Sequence, residues 1–62
     1  MCLSNVYLLS DGGEKLVCEY ASTVNVQGDT ILLTDVIGQE ITLTGTIASV
    51  DLIKNEIKVK AS

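Results

Sequence analysis

Apolar and polar residues alternate along this chain in short runs, and glycine, asparagine and aspartate divide the runs at regular intervals. Short alternating runs between turn-forming residues are the mark of β-hairpins, because successive side chains of a strand point to opposite faces. Residues 3–9 are rich in apolar side chains and stop at Ser10-Asp11-Gly12-Gly13, whose glycines can take the positive φ that a tight hairpin needs. Residues 15–26 carry β-branched or aromatic side chains at Val17, Tyr20, Thr23, Val24 and Val26, then break at Gln27-Gly28-Asp29. A third strand covers residues 30–34. Gly38-Gln39 turns the chain into Glu40-Ile41-Thr42-Leu43-Thr44, whose strict alternation sends Ile41 and Leu43 to one face. Gly45 is the expected site of a bulge. Residues 46–52 and 56–60 form a last hairpin across Lys54-Asn55, with Ile57 and Val59 inward and the flanking charges outward.

The fold class expected from this pattern is all-β: a small antiparallel meander of five to six strands closing into a compact, SH3-like barrel, with residues 1–62 forming a single domain. A helix over residues 14–20 is the lesser alternative, since Leu16, Val17 and Tyr20 share a helical face. No internal repeat stands out.

A chain of 62 residues buries little surface, about 60% of what it exposes when unfolded, so its core is thin. Cys2 and Cys18 can make at most one bridge and supply no disulfide framework. With 47% hydrophobic residues the chain has apolar surface to spare, and a homodimer or larger assembly is expected.

The formal net charge is −4, from eight acidic residues spread between Asp11 and Glu56 against four lysines and no arginine. Nucleic-acid binding draws most of its affinity from Lys and Arg neutralising phosphates, so nucleic acid is not an expected partner, and neither is an anionic membrane surface. There is no apolar run of about 18 residues, the length a membrane helix requires. The first residues lack the basic and apolar segments of a secretory signal, so a cytoplasmic location is expected. In a reducing compartment Cys2 and Cys18 read as a ligand and a small core residue.

Enzyme readings fail by absence: without histidine, neither a Ser/His nor a Cys/His nucleophile pair can be built, and the scattered carboxylates read as solvated surface. Asp11-Gly12-Gly13 opens onto a strand and lacks the lysine and spacing of a phosphate loop. Lys58 and Lys60 lie on one face of what reads as a terminal strand, where lysines guard an edge against pairing. Tyr7 and Tyr20 read as core or interface residues. Cys18, with Leu16 and Tyr20 on its own face by period-2 alternation, reads as buried core.

Cys2 is chemically distinct. Its thiolate stands beside the Met1 nitrogen and the first peptide nitrogen, and donors on adjacent atoms can close five-membered chelate rings around one metal ion. An inert, merely packed cysteine is the competing reading.

The whole chain resembles the CooT family of small nickel-binding proteins, members of which also carry the label of predicted RNA-binding proteins. The resemblance rests on the opening Met1-Cys2-Leu3-Ser4-Asn5-Val6-Tyr7-Leu8, the Asp11-Gly12-Gly13 turn, the length, and the closing Ile47-Ala48-Ser49-Val50-Asp51-Leu52 with Ile57 and Val59. It implies a homodimeric small β-barrel binding Ni(II) through the N-terminal cysteine, with the cysteines of two chains meeting at the dimer interface. Cys2 matches that ligand position, together with the backbone nitrogens of Met1 and Cys2. A square-planar nitrogen and sulfur site suits Ni(II), while Cu or Zn also fits a thiolate. One chain offers at most three such donors, so filling four positions with protein atoms needs two chains and predicts one metal per dimer. The leading expectation is therefore a nickel-binding accessory protein, a metallochaperone or store, with a client nickel enzyme or its maturation proteins as possible partners. The alternative is an RNA-binding or protein-interaction module with no metal role.

Overall fold

In the computed structural model, which describes residues 3–61, the chain forms five strands: β1 (Ser4–Ser10), β2 (Gly13–Gln27), β3 (Thr30–Asp35), β4 (Glu40–Asp51) and β5 (Glu56–Ala61). Each pairs antiparallel with the next, and β5 returns to β1 to close the ring. The closing pair is parallel, with Asn5 opposite Glu56 and Leu9 opposite Lys60. This follows from parity. In an antiparallel meander of five strands the first and fifth run the same way, so closure has to be parallel.

Every strand has two neighbours, and the two long strands, β2 and β4, divide their length between theirs. The first part of β2 pairs with β1 up to Ala21 opposite Ser4, and its second part pairs with β3 from Ala21 opposite Asp35 to Gln27 opposite Thr30. The first part of β4 pairs with β3 as far as Thr44, and from Gly45 onward it pairs with β5. The segments 40–44 and 46–52, read as separate strands from the sequence, are one strand passing through Gly45. No side chain fits there: a Cβ at Gly45 would fall on the Lys60 carbonyl oxygen and within 3.2 Å of the Ala61 Cα. The bulge lies two to three residues later, where Ile47 opposes Val59 and Ser49 opposes Lys58.

Inside the barrel, Val6, Ile31, Leu33 and Val59 have no exposed surface, and Cys18 and Ala21 complete the buried cluster. Burial of such aliphatic side chains stabilises the fold by roughly 1.5–3 kcal/mol each. Ile41, Leu43 and Ile57 pack against this cluster, as the alternation of their strands requires.

Residues 14–20 are strand, as the main reading expects, and the helical alternative falls. Two local expectations are corrected. Lys58 and Lys60 guard no edge, because β5 is paired on both sides, and Lys58 Nζ instead meets Glu14 Oε2 of β2 at 3.0 Å. Leu16 and Tyr20 do not share the buried face of Cys18: register shifts between Ser4 and Tyr7 break the period, leaving Leu16 and Tyr20 exposed.

Candidate functional site

The start of the described chain is built into one end of the barrel. Asn5 donates its backbone N–H to the Asn55 carbonyl at 2.9 Å, and its side-chain Oδ1 accepts the Tyr20 N–H at 3.3 Å. Tyr20 in turn accepts the Val36 N–H on its own carbonyl at 3.0 Å. A line of hydrogen bonds thus runs from the β4–β5 turn through β1 to the β2 corner and on to the β3–β4 turn. The two partners of Asn5, Tyr20 at φ 57° and Asn55 at φ 56°, are the non-glycine residues with positive φ among the described residues. Asparagine tolerates that conformation through its short polar side chain, whereas for a bulky tyrosine it is strained.

The two turns on this line are built alike. In Asp35-Val36-Ile37-Gly38-Gln39, the Asp35 Oδ1 accepts the N–H of Ile37 at 3.0 Å and of Gln39 at 2.9 Å. In Asp51-Leu52-Ile53-Lys54, the Asp51 Oδ1 accepts the N–H of Ile53 at 3.0 Å and of Lys54 at 2.9 Å. A carboxylate that accepts amides two to four residues ahead pins the turn around itself. These hydrogen bonds, that of Lys54 foremost, hold the Asp51 carboxyl below its ordinary range. Each turn holds a pair of aliphatic side chains out in solvent, with Ile37 76%, Leu52 81% and Ile53 94% exposed.

Cys18 lies under the β2 corner, at the floor of an open hollow of about 330 Å³ that Tyr20, Val36, Ile37 and Ile41 also line. Burial, and secondarily the charge of Asp35, pushes its thiol up from the ordinary cysteine range. A thiol so placed is a poor ligand and nucleophile, which fits the core role expected for it.

Met1 and Cys2, the expected metal donors, lie outside the described residues, which begin at Leu3. Among the described residues there is no group of three or more His, Cys, Asp or Glu side chains able to hold a metal ion. No helix is long and apolar enough to cross a membrane. Sequence reasoning missed Asn5, Asp35 and Asp51. The signal for the last two was present as Asp35-Val36-Ile37 and Asp51-Leu52-Ile53, a likeness only three residues long and therefore too short to register as a repeat.

The fold and this end of the molecule define a small closed β-barrel whose first strand is braced at Asn5 by the β4–β5 turn and the β2 corner. The model of the family described as "CO dehydrogenase accessory protein CooT" matches residues 1–60. The chain belongs to the CooT family. A crystal structure described as a candidate CooT from Carboxydothermus hydrogenoformans superimposes with a TM-score of 0.90 at 18% sequence identity, covering 98% of each chain. At that identity the likeness concerns the fold. No curated protein matches.

Proposed function

We propose that this protein is a non-enzymatic nickel-binding accessory protein that takes part in the maturation of a nickel enzyme. The metal is its cargo. In this reading each chain contributes the Cys2 thiolate and the backbone nitrogens of Met1 and Cys2, and two chains share one ion as a homodimer in the cytoplasm. The carrying observation is the family match over residues 1–60, whose description names an accessory protein of CO dehydrogenase, in a chain that opens Met1-Cys2.

The donor chemistry supports this reading. A thiolate flanked by two nitrogens suits Ni(II), and where nickel is scarce it also suits Cu or Zn. The brace at Asn5 supports it too: bonded to Asn55 in the β4–β5 turn and to Tyr20 in β2, the described chain next to the expected donors is anchored on two sides. A net charge of −4 weighs against the RNA-binding alternative.

Titration of Ni(II) into reduced, tag-free protein, followed by absorbance and by native mass, tests the proposal. Saturation at one nickel per two chains is expected, and Cys2→Ser abolishes it while leaving the far-ultraviolet dichroism unchanged. Stoichiometric nickel binding by the Cys2→Ser protein would overturn it.

A further inference from the structure

One edge of β2 is uncovered over half its length. Residues 13–20 pair with β1 alone, and β3 joins on the other side only from Ala21 onward. In an antiparallel pair alternate residues turn their N–H and C=O away from the partner strand. This half of β2 therefore presents backbone donors and acceptors to an edge that no described strand takes up. Its side chains agree, since all of residues 13–20 except Val17 and Cys18 are exposed.

The hollow over Cys18 runs along this edge. Residues 17–20 form one wall, and the β3–β4 turn, with Gln39 and Ile41, forms the other. The two walls meet where the Val36 N–H reaches the Tyr20 carbonyl at 3.0 Å, and diverge from there. At about 330 Å³ the space lies at the small end of the roughly 300–1,000 Å³ range of ligand pockets. Its surface is apolar at Val17, Cys18, Ile37 and Ile41, and the charged residues that line it, Glu19 and Asp35, are both acidic. Glu40 stands between the lining residues Gln39 and Ile41, and no lysine lines the hollow.

We propose that the outer edge of β2 at residues 14–19 takes up an extended segment of another protein in which basic and aliphatic side chains alternate, with one aliphatic side chain seated in the hollow between Cys18 and Ile41. The inference goes beyond nickel carriage and does not depend on it. In strand addition the main-chain bonds supply affinity, and a pocket for alternate side chains supplies specificity. A strand on this edge sends every second side chain to one face, so one of them enters the hollow while its neighbours turn away. The acids on both walls set the charge of the segment: bases beside the inserted side chain are attracted, and Asp or Glu there is repelled. Asp35 is a fixed charge in this respect, because its Oδ1 is held by the Ile37 and Gln39 amides. The same charges select against a second copy of this edge, whose own Glu14 and Glu19 meet like charge.

The probe is an acetylated and amidated heptapeptide of four lysines alternating with valine, leucine and valine, titrated into the full chain labelled with nitrogen-15. Amide shifts are expected at residues 14–19 and 36–41 at about 50 mM salt. Two further peptides carry N-methyl groups, one on its lysines and the other on its aliphatic residues. One of them binds and the other does not, because only one alternate set of amides faces β2. Glu19→Gln combined with Glu40→Gln weakens binding about fivefold at about 50 mM salt, and this difference vanishes near 500 mM. Ile37→Lys abolishes binding, whereas Ile53→Lys, in the β4–β5 turn outside the hollow, binds as the unaltered protein does; both side chains are exposed, so both variants fold. Absence of shifts at residues 14–19, equal binding of the two N-methylated peptides, or equal binding of a peptide with glutamate in place of lysine overturns the proposal.

Discussion

The side-chain oxygen of Asn5 accepts the backbone N–H of Tyr20 at 3.3 Å, and Tyr20 holds a left-handed φ of 57° at the corner where β2 passes from β1 to β3. A tyrosine in that region is disfavoured by roughly 1–2 kcal/mol. The corner exists because Asn5 and Val36 take up the N–H and the carbonyl of the same residue from opposite sides.

Substitutions at Tyr20 are therefore expected to follow backbone conformation more than side-chain size. Tyr20→Gly raises stability by roughly 0.5–1 kcal/mol, and Tyr20→Val lowers it by about 1 kcal/mol, because a β-branched residue is worse than tyrosine at positive φ. Asn5→Ala costs about 1 kcal/mol through the lost acceptor. Urea unfolding of the three variants measures all of this. Equal effects of Gly and Val at position 20 would show that the side chain and not the strained backbone governs the corner.

Gly45 is the opposite kind of corner, set by proximity. Because a Cβ there falls on the Lys60 carbonyl oxygen, Gly45→Ala has to displace backbone rather than a flexible side chain. The expected loss is about 3 kcal/mol, or failure to fold at 37 °C, with β4–β5 pairing disrupted first. Amide exchange rates of Thr46, Ile47 and Lys60 report it directly.

The depressed carboxyl of Asp51 gives a sign for acid behaviour. A folded-state pKa below the unfolded one contributes stability that is complete above the unfolded value and is lost as pH falls through the folded value. Carbon chemical shifts of the Asp51 carboxyl are expected to titrate with a midpoint under the ordinary 3.8. The exposure of Leu52 and Ile53 persists in Asp51→Asn, whose amide oxygen can still accept from Ile53 and Lys54, and that variant loses less stability than the parent between about pH 4 and pH 2. A steeper acid loss in Asp51→Asn contradicts this assignment.

Cys18 is expected to behave as a core residue. In a Cys2→Ser background its thiol, buried and pushed up in pKa, reacts with iodoacetamide at pH 8 far more slowly than a free thiol, and regains that rate in urea. Mass spectrometry of the alkylation time course is the measurement. Prompt labelling of the folded protein would mean that the hollow beside Tyr20, Val36 and Ile37 admits solvent down to the sulfur.

The sequence by itself determined the strand segments, most of their turns and the inward residues of the regular segments, but not that residues 40–44 and 46–51 are one strand. Period-2 alternation is a local property, and Ile41, Leu43, Ile57 and Val59 sit on the faces it assigns them. Glycines at Gly13, Gly28 and Gly38 mark turns because positive φ is locally costly for other residues. The resemblance to CooT was legible from the chain opening and closing, and the family match bears it out. What only the tertiary structure decided is everything that depends on residues distant in sequence. The strain at Tyr20 arises where Asn5, 15 positions away, supplies an acceptor. The need for glycine at position 45 arises from the carbonyl of Lys60. The gathering of two short Asp-aliphatic-aliphatic turns at one barrel end arises from the pairing of β1 with β5 and of β2 with both β1 and β3, and no alternation along a single strand encodes which turns share an end.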